Sequence, residues 1–144
     1  MDLRICPTTN RTGSAYLDGP PESLPVTHFA VLAPPFPSHA RALEALGSEL
    51  VQRGHRVTWV HRPETRTLLS APGIGFHSVG APSSGWLKAL IDRAARPGGP
   101  IGLSRVIRDV AQGTDLLCRE APSALRGLGV DAVIADEMEA AGGL

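Results

Sequence analysis

Proline and glycine cut this chain into short apolar runs set one helix length apart, and that punctuation limits the folds open to it more than any other feature. The run T-H-F-A-V-L-A, residues 27–33, is apolar and stopped by Pro34 and Pro35, as expected of a strand buried on both faces of a parallel sheet. After the Pro34-Pro35-Phe36-Pro37 loop, Ser38 stands where an N-cap is expected. Leu43, Leu46, Leu50 and Val51 then recur at helical spacing until Gly54 ends the helix. H-R-V-T-W-V-H, residues 55–61, follows at once and is rich in β-formers. Strand, helix and strand make a βαβ unit, for which the crossover is right-handed.

The pattern repeats. A short helix is predicted around Glu64 to Ser70, and Pro72-Gly73 leads to a third strand near Ile74 to Val79. Two amphipathic helices come next: Trp86, Leu87, Leu90, Ile91 and Ala94 mark one, and Val106, Ile107, Val110 and Leu117 mark the other. Pro97-Gly98-Gly99-Pro100 separates them. D-A-V-I-A, residues 131–135, reads as a fourth buried strand, and Asp136 and Glu137 stand at its end. The fold class is therefore α/β, a doubly wound parallel sheet with strand order 3-2-1-4. Residues 1–25 contain Pro7, Pro20, Pro21 and Pro25 and no apolar period, and they read as a flexible tail rich in Pro, Gly, Ser and Thr. Residues 26–144 read as the folded domain.

Composition narrows the function classes. Fourteen basic side chains balance fourteen acidic ones, so nothing in the charge favours a nucleic-acid partner. Cys6 and Cys118 belong to no Cys/His cluster, which argues against structural zinc. No apolar run is long enough to span a bilayer, and the first 25 residues lack the apolar centre of a secretory signal; a cytoplasmic location is expected. No G-x-G-x-x-G or G-K-[ST] follows the first strand and no G-x-S-x-G elbow occurs, which speaks against dinucleotide or NTP binding by this half and against a hydrolase elbow.

In a doubly wound sheet, ligands gather beyond the carboxyl ends of the strands, where the strand order reverses. Strand order 3-2-1-4 makes the first and fourth strands neighbours, so the loops at residues 34–39 and 136–139 face each other. His39 lies there, in the first turn of a helix whose dipole disfavours the imidazolium. Asp136 is the natural group to fix its tautomer, giving a base and its orienter. Position alone leaves a solvated or capping histidine as an open alternative. His28, His55, His61 and His77 are read as surface or sheet-end residues, and Asp136-Glu137-x-Glu139 as acidic groups favoured by a helix start rather than a metal site. Pro34, Pro35, Phe36 and Pro37 form a stiff apolar rim suited to a hydrophobic ligand. Pro35, Phe36, Ser38, Trp86 and Glu137 are the candidate substrate-binding residues.

Three blocks, H-F-A-V-L-A-P-P-F-P-S-H-A-R-A-L, L-V-Q-R-G-H-R-V-T-W-V and D-A-V-I-A-D-E-M-E-A-A-G, resemble the family-1 UDP-glycosyltransferases. With G-T-D-L-L-C-R-E-A-P at residues 113–122, they look closest to the bacterial zeaxanthin-glucosylating subgroup, and the resemblance runs over residues 27–143. It implies a two-domain GT-B fold, of which this is the acceptor-binding N-terminal Rossmann-like half, incomplete. The C-terminal half that binds the nucleotide-sugar has no counterpart before Leu144. His39 is then the base that deprotonates the acceptor and Asp136 its partner. The implied reaction is inverting transfer from a UDP-sugar co-substrate to hydroxyls of a carotenoid such as zeaxanthin, with no other cofactor and no activity from this half alone. A lipophilic substrate further implies peripheral membrane association. A glycosyltransferase of macrolides, sterols or other small aglycones, and a non-catalytic module that binds a hydrophobic ligand, are the alternatives.

Overall fold

A computed structural model of the chain describes residues 25–143; apart from Pro25, the tail expected over residues 1–25 lies outside them. Four strands, β1 (His28–Leu32), β2 (Arg56–His61), β3 (Gly75–Ser78) and β4 (Ala132–Ala135), form one sheet in the order β3-β2-β1-β4. All three pairings are parallel. Helix α1 (Pro37–Gln52) joins β1 to β2, a 3₁₀ turn (Pro63–Leu68) leads to β3, and α2 (Trp86–Ala95) and α3 (Pro100–Leu128) precede β4. A second 3₁₀ turn spans Ala140–Gly143. The arrangement is the Rossmann-like α/β class that the sequence predicts.

Side chains alternate between the two faces of a strand, and both faces of this sheet carry a core. Ala30, Leu32 and Val60 pack with Leu117 and Ala121 of α3. Val31, Ala33, Val57 and Trp59 pack with Ala40 of α1 and Ile74. Leu117 is completely buried, so its truncation to Ala costs about 2–5 kcal/mol. The buried Glu44 of α1 is satisfied locally, since its carboxylate accepts the backbone N–H groups of Ser70 and Ala71.

Several boundaries differ from the predicted ones. The N-cap of α1 is Phe36 rather than Ser38, with no side-chain cap. Pro37 takes the first helical position, where its fixed φ suits the helix and its missing N–H costs nothing, and the Ala40 N–H bonds back to the Phe36 carbonyl at 3.0 Å. The short helix predicted near 64–70 is the 3₁₀ turn. Helix α3 is 29 residues long and continues through Pro122. The fourth strand is not buried on both faces: among the described residues β4 has β1 as its only neighbour, and Val133 is 40% exposed.

Candidate active site

The ladder between β1 and β4 ends with Leu32 opposite Ala135, and the Asp136 N–H extends it to the Leu32 carbonyl at 3.0 Å. Asp136 is thereby fixed beside the point where β1 enters the Pro34-Pro35 turn, and both of these prolines are buried. Two residues after Pro37 opens α1, His39 comes round to face the end of β4. His39 Nδ1 lies 2.8 Å from Asp136 Oδ2, and the two side chains are 26% and 15% exposed. The other carboxylate oxygen, Oδ1, accepts the Met138 N–H at 2.9 Å.

Burial is the largest influence on Asp136 and raises its pKa. The hydrogen bonds from His39 and the Met138 N–H, with the charge of His39, outweigh it and hold the group below the usual carboxylate value. An ionised Asp136 can only accept, so whenever the ring is neutral its proton sits on Nδ1 and Nε2 is left as a proton acceptor. The carboxyl edge of the sheet thus holds an imidazole oriented by a carboxylate.

Beside this pair opens a cavity of about 500 Å³, lined by Pro34, Phe36, Val106, Ile107, Val110 and Met138 among others. Its wall is almost wholly apolar along the N-terminal half of α3, and the Phe36 ring connects it to the base, with ring centroids 6.2 Å from Phe36 to His39. Among the residues expected to bind substrate, Phe36 lines this cavity. Pro35 is buried beneath the turn, and its neighbour Pro34 forms the wall instead. Ser38 and Glu137 are exposed and lie off the cavity. Trp86 is also elsewhere: its ring lies under the Arg62 guanidinium at 4.5 Å and against Gly113.

Three features escaped the sequence reading of the site. Val106, Ile107 and Val110 were legible as one helix face, yet they wall a cavity rather than face the core. Met138 had no signal beyond its place after Asp136. His61, read as a surface or sheet-end residue, does end β2 but is only 1% exposed. Its Nδ1 accepts the Arg62 N–H at 2.7 Å, and Nε2 has no hydrogen-bond partner. Burial foremost, then the charge of Arg62, lower its pKa from 6.5 to about 4, only partly opposed by the nearby Ala33 backbone and Glu64.

Among the described residues, no three His, Cys, Asp or Glu side chains converge to hold a metal ion, and no helix is long and apolar enough to cross a membrane.

No protein-family model matches the chain. Two curated proteins are similar to it. The zeaxanthin glucosyltransferase of Pantoea ananas is 49% identical over 121 residues, which cover 83% of this chain and 28% of that protein. The zeaxanthin glucosyltransferase of Pseudescherichia vulneris is 38% identical over 129 residues, again 83% of this chain and 28% of the relative. The chain therefore spans under a third of the length of these relatives. Over the segment that it shares with them, the chain is a homologue of bacterial zeaxanthin glucosyltransferases.

Proposed function

We propose that these residues form the acceptor side of an inverting, UDP-sugar-dependent glucosyltransferase acting in the cytoplasm on hydroxyls of a carotenoid such as zeaxanthin. The observation that carries the reading is the 2.8 Å His39–Asp136 pair beside an apolar cavity, to which Phe36 and Met138 connect it. A long hydrocarbon acceptor buries its chain along Val106, Ile107 and Val110 and presents its terminal hydroxyl past Phe36 to His39. The hydroxyl proton passes to Nε2 while the oxygen attacks the anomeric carbon. The bond from that carbon to the diphosphate breaks on the opposite side, UDP leaves, and the configuration inverts. Asp136 stabilises the imidazolium formed on His39.

The wall is selective by what it lacks. A cavity whose lining side chains are apolar apart from Thr114 and Asp115 offers few partners for a heavily oxygenated aglycone, most of whose polar groups would be desolvated without compensation. The resemblance assigns the nucleotide-sugar to a second Rossmann-like half, so the reading for these 144 residues alone is acceptor binding without transfer.

Tryptophan quenching tests the acceptor assignment. Zeaxanthin in detergent micelles is expected to quench the purified chain saturably, UDP-glucose is not, and Val110→Trp, which puts an indole into the cavity wall, is expected to weaken zeaxanthin binding at least tenfold. Equal binding by Val110→Trp would move the acceptor elsewhere; saturable binding of a macrolide or sterol in place of zeaxanthin would reassign the aglycone.

A further inference from the structure

The tip between α2 and α3 has a character unlike the rest of the surface. Ile101, Leu103 and Ile107 are 72%, 52% and 60% exposed; Ile101 and Leu103 belong to the first turn of α3 and make its start apolar, and Ile107 follows one turn beyond Leu103. Arginines flank this stretch in the sequence. Residues 96–108 contain Arg96, Arg105 and Arg108 and no acidic residue, in a chain whose formal charge is zero. The nearest carboxylates are already engaged: Asp92 pairs with Lys88, and Asp109 pairs with Arg93 at 2.6 Å. Among the described residues, the three tip arginines have no ion-pair partner.

The tip is also built to keep its shape. Gly98 and Gly99 adopt φ of +66° and +94° to reverse the chain. A Cβ on Gly102 would lie 1.2 Å from the Pro97 carbonyl oxygen, so only glycine permits the first turn of α3 to close on the loop. The Leu103 N–H bonds to the Gly99 carbonyl at 3.0 Å.

We propose that this tip is a docking surface for an anionic lipid bilayer. Ile101 and Leu103 enter the boundary between headgroups and acyl chains, and Arg96, Arg105 and Arg108 form a collar at the level of the lipid phosphates. Exposed apolar side chains at the start of α3, with unpaired cations on either side of them in the sequence, match the two components of such a surface, whereas a second copy of this neutral chain offers no excess of negative charge. Ile107 is both exposed and part of the cavity wall. Leu103, Ile107 and Val110 recur four and three residues apart on one face of α3 and rise about 10 Å along it, an apolar face that leads from the tip toward Phe36 and His39. This face deepens the acceptor reading and rests on it for its cargo; the docking itself rests on the tip.

Co-sedimentation of the 144-residue chain with ligand-free vesicles tests the proposal. The chain is expected to bind vesicles of phosphatidylcholine with phosphatidylglycerol, and to bind phosphatidylcholine alone far more weakly. Arg105→Gln with Arg108→Gln should lower the partition coefficient about thirtyfold, at roughly 1 kcal/mol per arginine near the surface. Ile101→Ser with Leu103→Ser, at exposed positions that leave the core intact, should lower it by roughly tenfold or more. Binding that ignores lipid charge and both double substitutions would overturn the proposal, as would a concentration-dependent dimer dissolved by Ile101→Ser with Leu103→Ser in the absence of vesicle binding. Zeaxanthin binding in micelles separates the two readings. Its survival without vesicle docking refutes the tip alone, and its loss with docking retained refutes the acceptor alone.

Discussion

Replacing His61 by Asn should remove most of the acid sensitivity of folding between neutral pH and pH 5. The ring is 1% exposed, and its pKa falls from 6.5 to about 4. The unfolded chain therefore binds a proton that the folded one refuses across that interval. Stability rises with pH wherever the unfolded state holds more protons. The contribution is complete above pH 6.5 and is lost as the pH falls toward 4. At pH 5 the loss is about 2 kcal/mol, approaching about 3.4 kcal/mol at lower pH. Asn keeps an oxygen where Nδ1 accepts the Arg62 N–H and does not titrate. Asp136 and Glu64, both held below their ordinary values, contribute in the opposite pH region: their stabilisation is present above the unfolded carboxylate pKa and lost below it. Urea unfolding followed by Trp59 fluorescence at neutral pH and at pH 5 measures the difference. Wild type should lose about 2 kcal/mol more than His61→Asn. Parallel losses would refute the assignment of the buried, unprotonated ring.

Two further substitutions test other parts of the structure. Asp136→Asn presents an amide to His39 and no longer fixes the Nδ1–H tautomer; in a complete enzyme it should lower transfer by about 100-fold or more while leaving zeaxanthin quenching unchanged, and retained turnover would remove Asp136 from the mechanism. Glu64→Gln breaks the 3.4 Å pair with Arg62 and weakens the hold on the Ser83 N–H. It should cost about 1–3 kcal/mol and alter Trp86 emission as Arg62 leaves the ring, and an unchanged denaturation curve and spectrum would show that this node does not organise the loop before α2.

The strands and their order were legible because punctuation and topology speak together. Pro34-Pro35, Gly54 and Pro72-Gly73 leave little freedom in where β1, β2 and β3 stop or start, and strand order 3-2-1-4 then makes β1 and β4 neighbours. That adjacency is what brings residues 97 positions apart to 2.8 Å, so the His39–Asp136 contact followed from topology rather than from local spacing. The start of α1 was misplaced by two residues because Ser38 is a strong capping type, whereas Pro37 at the first helical position decides the geometry. Helix α3 reaches beyond the positions Val106 to Leu117 that marked it, and neither Gly113 nor Pro122 breaks it. Gly113 instead lets the helix pass Trp86, with its Cβ position 3.9 Å from the ring. The cavity wall was hidden by the same periodicity that revealed the helix: Val106, Ile107 and Val110 mark an apolar face, but period alone does not say whether a face meets core or open space. The burial of His61 was invisible for a like reason, since a strand-end histidine carries no sequence mark of the turn that covers it.

The most direct measurement is a segment exchange in which the matched residues of the Pantoea ananas zeaxanthin glucosyltransferase are replaced by those of this chain, with glucosyl transfer to zeaxanthin followed for the exchange protein and for its His39→Ala variant. Transfer by the exchange protein, and a loss of at least about 100-fold in the variant with zeaxanthin binding intact, is the predicted result. Undiminished transfer by His39→Ala would contradict the central claim that His39, held by Asp136 at the edge of the sheet, is the base that activates the acceptor.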